Sequence, residues 1–308
     1  MLTKQQLLRC VAPDETAAEF FARQVNEAIA TGLTCVDQHV KLRPGQVLEL
    51  VGPTGVGKSE LLAEIAAHFV LTSRGDDPAG VPDSVLLIDL ESKFDPLRLL
   101  QILAQHVGQN DRAIEAAMSR FHLVCCNSSA EFLALLAVLP QRLQQMRGKC
   151  SLLLIDNIGS YSWQDRAARP PAGQAGAPAA LHHQQQQLLV GADPGPPLTM
   201  QRVHAAAAAL LQLLAARLRL AVVATKSAAV ALQEGEGGRL VQRDYLPPAW
   251  QRVVTHRLLM LPGRPPVVEA GPHALTHVVV QLQSDALARR DAPASIYIGP
   301  AGVCARPG

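Results

Sequence analysis

A chain of 308 residues, 48% of them hydrophobic, is long enough to bury one large soluble α/β core with or without a small appendage. Its 28 Lys and Arg against 26 Asp and Glu leave a formal charge of +2, which excludes a global phosphate-binding face, so any nucleic-acid contact has to be local. No apolar run reaches the length of a membrane span, and MLTKQQLLRCVAPDE has neither the apolar core of a signal peptide nor the character of a transit peptide, so the expectation is an intracellular protein.

Residues 15–31 carry Phe20, Phe21, Val25 and Ile29 at helical spacing, which predicts an amphipathic helix whose apolar face is covered by the protein's own core or by a partner. This N-terminal helical segment, 1–45, precedes the main domain, 46–308. From Gln46 the apolar runs QVLELVG, SVLLIDLE, FHLVCC, SLLLIDNIG and RLAVVATK are nearly continuous, as in strands buried on both faces of a parallel sheet. Between them KSELLAEIAAHFVL, DPLRLLQILAQHV, SAEFLALLAVL and TMQRVHAAAAALLQLLAARL read as helices, the second with Asp95 as N-cap and Pro96 in its first turn. The alternation predicts a doubly wound, mostly parallel α/β sheet. After Tyr245, RVVTHRLLML, HVVVQLQ and ASIYIG follow one another through turn-like segments and read as antiparallel strands added to one edge. Residues 164–199, rich in Pro, Gly, Ala and Gln, read as a disordered surface insertion. The His182–His183 pair inside it lacks further ligands nearby in sequence. The six cysteines form no CxxC pair and read as reduced thiols.

Gly52-Pro53-Thr54-Gly55-Val56-Gly57-Lys58-Ser59 fits the phosphate-binding pattern G-x-x-x-x-G-K-[ST], with a buried strand entering and a helix leaving, which is the arrangement the motif requires. The glycines let backbone N–H groups turn inward around phosphates, the helix N-terminus adds its positive end, and Lys58 supplies a point charge. The expected ligand is ATP with Mg²⁺, Ser59 reaching the metal through its hydroxyl and Asp156, at the end of SLLLIDN, holding the metal's water shell. A turn-capping role for Asp156 is the plain alternative. Hydrolysis also needs a group to orient the attacking water. Asp89 and Glu91 end the second strand on one side by alternation; Glu91, further out, is the candidate base, against the alternative of a solvated loop acid.

The order GPTGVGKSE, IDLESKFDPLRLL, LLLIDNIGSYSW, AVVATK, AWQRVVTHRLLM resembles the RecA-type recombinase superfamily. FHLVCCNSSAEFL, SYSWQDR, DYLPPAWQRVVTHR and SIYIGPAGV are similar to one eukaryotic branch of it, the X-ray-repair cross-complementing paralogues. The resemblance covers nearly the whole chain from Gln46 except 164–199. It implies a RecA-like P-loop ATPase core, Lys58 and Ser59 in the nucleotide loop, Asp156 as the metal-side aspartate and Glu91 at the catalytic glutamate. Such recombinases close the AVVATK strand with an amide that senses the γ-phosphate; Thr225 and Lys226 stand there in this chain, and Lys226 keeps a charge that could meet a phosphate.

The family binds DNA through two loops, here SYSWQDRAAR with the insertion, and SAAVALQEGEGGRLVQRDYLPP. Tyr161 and Trp163 have the chemistry to stack on bases and Arg166, Arg169, Arg239 and Arg243 to meet phosphates; the aromatics equally suit packing against a neighbour. Neither a helix-hairpin-helix module nor a convincing Phe-x-x-Ala tether precedes the core. The resemblance therefore implies an ATP-binding subunit docked on a sister paralogue in the nucleus, supporting homologous-recombination repair. An autonomous DNA-stimulated ATPase is the rival, and a P-loop small-molecule kinase a distant third, disfavoured by the edge strands after Tyr245 and the lack of an Arg-rich lid.

Overall fold

The computed structural model describes residues 16–19, 28–72, 83–108, 110–146, 148–167, 200–228, 232–235, 239–242, 245–263, 276–284, 289–290, 294–299 and 302–304. The five apolar runs become β1 (Val47–Gly52), β2 (Ser84–Asp89), β3 (Phe121–Cys125), β4 (Cys150–Asp156) and β5 (Ala221–Ser227). Two short strands, β6 (Leu232–Gly235) and β7 (Arg239–Gln242), pair as a separate antiparallel ribbon. The remaining strands are β8 (His256–Pro262), β9 (Thr276–Ser284), β10 (Arg289–Arg290), β11 (Ala294–Gly299) and β12 (Gly302–Cys304). The main sheet runs β12-β11-β9-β8-β1-β5-β4-β2-β3, with β10 beside β9.

The helices are α1 (Thr34–Asp37), α2 (Lys58–Thr72), α3 (Pro96–Val107), α4 (Asp111–Met118), α5 (Ser129–Gln144), α6 (Ser162–Ala167), α7 (Met200–Arg217) and α8 (Pro248–Val253). Their starts follow side-chain chemistry. Asp95 accepts from Leu97 N at 2.9 Å, Asn110 from Ala113 N at 3.2 Å and Ser128 from Glu131 N at 3.1 Å, each satisfying an orphan donor of the first turn. Alternation along the strands sends Leu48, Leu50, Leu87, Leu152, Leu154 and Val223 to the face covered by α2, α3 and α4. Val47, Ile88, Leu153, Ile155, Val222 and Ala224 go to the opposite face, covered by α5, α7 and α8. None of the described helices is long and apolar enough to cross a membrane.

The mostly parallel sheet with antiparallel C-terminal strands is as the sequence predicts, with local corrections. The run RVVTHRLLML is not an antiparallel strand: residues 252 and 253 finish α8, and β8 lies parallel to β1, Leu48 opposite His256 through Val51 opposite Leu259. A helix between β5 and β8 carries the chain across the sheet, and such a crossover returns it parallel. Antiparallel pairing starts only with β8 and β9. β3 is not buried on both faces, because it is the terminal strand of the sheet and four of its five residues are half-buried. α5 passes through Pro140 and ends at Gln144 rather than at Leu139. α4 is absent from the sequence reading, although Asn110 marks its start.

In the N-terminal segment, Thr16 N donates to Glu19 Oε2 at 2.7 Å and Glu19 N to Thr16 Oγ1 at 3.2 Å, a reciprocal cap that starts the expected helix. Phe20, Phe21 and Val25 lie outside the described residues. Ile29 is not on a helical face: it forms an antiparallel bridge with Leu42, its N–H donating to Leu42 O at 2.7 Å. Residues 164–167 belong to α6, tied to α5 by Ser129 Oγ donating to Asp165 Oδ1 at 2.9 Å. The rest of the expected insertion, with His182, His183 and Arg169, lies outside the described residues, as does Arg243.

Glu49, in the middle of β1, has no solvent exposure and faces α8. Its Oε1 accepts from Lys226 Nζ at 2.8 Å and from Trp250 Nε1 at 2.7 Å, and its Oε2 from Arg257 Nε at 2.5 Å. One carboxylate thus joins β1, β5, β8 and α8. Removing it would take from buried Lys226 the carboxylate it pairs with, which costs far more than the intact pair contributes. Glu49→Ala is therefore expected to destabilise the fold by about 3–5 kcal/mol, read as a lowered urea midpoint; a loss below ~1 kcal/mol would show that the cluster behaves as if solvated.

Candidate nucleotide site

The site forms where the C-terminal ends of β1, β4, β5 and β2 meet the start of α2, the edge at which open α/β sheets place their ligands. β1 delivers Gly52, and a Cβ there would stand 2.4 Å from Met260 O, so the neighbouring β8 backbone excludes a side chain. Gly55 and Gly57 have φ of 83° and 89°, the left-handed region that glycine enters without penalty. A Cβ on Gly57 would also lie 2.2 Å from Ile298 Cδ1, so β11 packs directly against the loop. Pro53 and Val56 are turned partly or wholly inward, whereas Thr54 and Gly55 face solvent.

Lys58 is buried, its ammonium donating to Gly52 O at 3.0 Å and Pro53 O at 2.8 Å. Burial lowers its pKa, while the nearby carboxylates of Asp156 and Glu91 pull the other way. Ser59 Oγ donates to Asp156 Oδ2 at 2.6 Å, and Thr225 Oγ1 donates to Asp156 Oδ1. The sequence-predicted pair Ser59 and Asp156 is therefore brought together from elements 97 residues apart, with Thr225 as a third member. Burial raises the Asp156 pKa against the two hydroxyl bonds, and Glu91 and Asp89 add to the rise. A hydroxyl and a carboxylate beside a lysine, at a glycine-rich turn that opens a helix, are hard oxygen donors of the kind a Mg²⁺–nucleotide pair takes.

Asp89 and Glu91 do different things. β2 ends at Asp89, whose carboxylate accepts the backbone N–H groups of Glu91 and Ser92 on Oδ1, at 2.9 and 2.8 Å, and of Phe94 on Oδ2 at 2.8 Å. It folds the loop that carries Glu91. Glu91 Oε1 accepts from Asn157 Nδ2 at 3.3 Å and its Oε2 meets Lys93 Nζ at 3.2 Å, with 31% of the side chain exposed. Asn157 and Ser227 escaped the sequence reading as members of the site, and Thr225, which it set beside Lys226 at the sensor position, received no role of its own there. The signal was the period of two along AVVATKS: Thr225 and Ser227 share the face of the α2 helix. The same period overturns the expectation for Lys226, which lies fully buried on the opposite face with Glu49 and does not point toward the phosphate loop.

In the loop after β4, Tyr161 Oη donates to Cys126 O and the ring packs into the core beside α5; burial pushes its pKa up to about 12. Trp163, two residues on, is 59% exposed. Tyr161 is thus committed to packing, the second of its two readings.

A scan against protein-family models finds no match. The mouse DNA repair protein XRCC2 is 29% identical over 229 residues, which is 70% of this chain and 72% of the mouse protein. The chain is homologous to XRCC2. The Arabidopsis XRCC2 homolog, also a DNA repair protein, is 29% identical over 189 residues, half of this chain and half of the plant protein. The RecA-like α/β architecture and the eukaryotic paralogue branch inferred from the sequence motifs agree with this XRCC2 homology.

Since the folded pKa of Asp156 lies above the ordinary value of 3.8, the fold holds that proton more tightly than the unfolded chain does. Stability contributed this way is present at low pH and is lost as pH rises above the ordinary value. Asp156→Asn should flatten that decline and raise the melting temperature of the ligand-free protein near neutral pH by roughly 2–4 °C. A pH series of thermal melts checks it, and a parallel fall in both proteins would assign the decline to other groups.

Proposed function

We propose that this chain is an ATP- and Mg²⁺-binding recombinase paralogue that acts with a sister paralogue in a nuclear hetero-complex supporting double-strand break repair by homologous recombination. The observation that carries the nucleotide part is the 2.6 Å bond from Ser59 to Asp156 beside the curled Lys58. It joins the loop motif to the distant carboxylate, which supports reading the two as one site. The XRCC2 homology supports the repair context.

In this reading Gly52 to Ser59, including Pro53, Thr54 and Val56, surround the phosphates, and the ammonium of Lys58 leaves its two loop carbonyls for phosphate oxygens. Ser59 and Asp156 hold the metal, Asp156 through its water shell. ATP bound with Mg²⁺ supplies the charge that offsets burial of Lys58 and the conformational signal to the partner surface. In the second reading, an autonomous DNA-stimulated ATPase, Glu91 orients the attacking water; its carboxylate, held by Asn157 Nδ2, influences both Lys58 and Asp156.

Nucleotide binding and turnover by the purified chain, alone and with the candidate sister paralogue, separate the two. Lys58→Ala should weaken ATP binding by about 2–3 kcal/mol, the worth of a charge-assisted contact made to phosphate. If turnover is negligible and Glu91→Gln changes nothing, the chain is a nucleotide-gated subunit. Turnover that rises with single-stranded DNA and falls about a hundredfold or more in Glu91→Gln assigns it to the ATPase class. Unaltered ATP binding in Lys58→Ala would remove the proposal.

A further inference from the structure

Parallel strands begin at one edge of a sheet, so the residues that lead into β8, β1, β5 and β4, far apart in the chain, lie side by side at the edge opposite the nucleotide site. Backbone contacts fix this adjacency. Gly45 N donates to Leu220 O at 2.8 Å, joining the starts of β1 and β5, and Val47 N donates to Thr255 Oγ1 at 3.0 Å, joining those of β1 and β8. Leu152 of β4 stands opposite Ala221 of β5. These four strand starts carry Arg252 before β8, Lys41 and Arg43 before β1, Arg217 and Arg219 before β5, and Lys149 before β4, with no acid in residues 39–46, 146–149, 217–220 or 252–255. Lys41, Lys149, Arg217 and Arg252 are exposed, and Arg43 and Arg219 half-buried. Asp37, the acid nearest Lys41 along the chain, is taken up by Thr31 N, Thr31 Oγ1 and Gly32 N. The acids of the sheet gather at the other edge, where Asp89 ends β2, Asp156 ends β4 and Glu91 follows β2.

We propose that this row of cations is a docking edge for the phosphate backbone of duplex DNA, on the side of the sheet away from the nucleotide site. Four neighbouring strands span about 14 Å at the usual strand spacing, a length of helix axis over which one strand of a duplex presents about four phosphates. Each of the four strand starts brings at least one ammonium or guanidinium to that length. Contacts of this kind hold the backbone and read no sequence. The near-neutral formal charge of +2 conceals the row, because the acids that balance it lie at the other edge. Arg217 and Arg252 stand in the last turns of α7 and α8, where a cation also offsets the helix dipole; Lys41 and Lys149 have no such reason to be there. The loops after β4 and β5, where the family resemblance placed DNA, are less suited, since Tyr161 is committed to packing and the β6–β7 ribbon sets Glu234 against Arg239. An acidic protein is the other polyanion, but none of the exposed large apolar residues lies in these four strand starts, and protein partners take such side chains as anchors.

This inference rests on the DNA-repair context above and not on the nucleotide site. The test is fluorescence anisotropy of a labelled mixed-sequence duplex titrated with the full chain over a range of salt concentrations. The logarithm of the wild-type binding constant should fall against the logarithm of salt with a slope of about −4, the release of counter-ions from four or five phosphates. Lys41→Gln, Lys149→Gln, Arg217→Gln and Arg252→Gln, surface changes that leave the fold intact by thermal melting, should each reduce that slope by about one. Arg202→Gln, at the start of α7 and so at the nucleotide edge, and Arg166→Gln with Arg239→Gln, on the two loops of the family resemblance, should leave it unchanged. A loss confined to the loop variants returns DNA to the nucleotide edge and overturns the proposal. So does a wild type that binds no duplex at low salt, or one that binds poly-glutamate through the row while ignoring duplex, which assigns the edge to an acidic protein. Binding of a Mg²⁺–ATP analogue, measured in parallel, should be the same in the wild type and the four row variants, so a failure of the nucleotide reading is seen separately from a failure of the docking edge.

Discussion

The Glu49 carboxylate is the constraint around which the central strands are arranged. A fully buried charge is tolerated only when it is paired and its lone pairs are filled, and Lys226, Arg257 and Trp250 do this from three different elements. The consequence reaches the opposite face of the sheet. With Lys226 held on the α8 side, its neighbours Thr225 and Ser227 are fixed by the pleat on the α2 side, at the height of Asp156 and Gly52. A buried ion cluster on one face thereby sets the register of polar groups on the other, as a one-residue slip would exchange the two sets.

The parts of the site that sequence made legible are those whose chemistry is local. The phosphate loop declares itself because its glycines, lysine and serine are contiguous. The carboxylate of Asp156 declares itself because it ends a run of apolar residues. What sequence did not show depends on which way a side chain points at the end of a strand. Thr225 and Lys226 are adjacent, and only pairing with β1 and β4 decides which one faces the nucleotide loop. Asn157 was hidden for a related reason: an amide after an aspartate reads as turn chemistry until β5 brings Ser227 to it.

At the level of the fold, composition foretold the parallel core and the antiparallel edge but misplaced the junction between them. β8 is an apolar run like β9 and β11 that follow it, and orientation is not written in apolar alternation. It follows from the connection, and the six-residue α8 is too short to stand out beside the Pro and Val residues flanking it. Likewise β3 has the composition of an interior strand yet lies at the sheet's end, where His122 and its neighbours are half-buried. Burial of a strand is a property of its neighbours as much as of its residues.

The polar groups of the cradle bond one another, and this shapes how it can work. Lys58 bonds two loop carbonyls and Ser59 bonds Asp156, so nothing in the cradle is held open by unpaired charge. Binding must exchange these contacts for others, and the net affinity is the difference between the two sets. The raised pKa of Asp156 marks the remaining tension, since its charge is costly to keep buried until a cation or a bound metal stands beside it. Under the proposed reading, a metal-bound nucleotide would relieve that cost at Asp156.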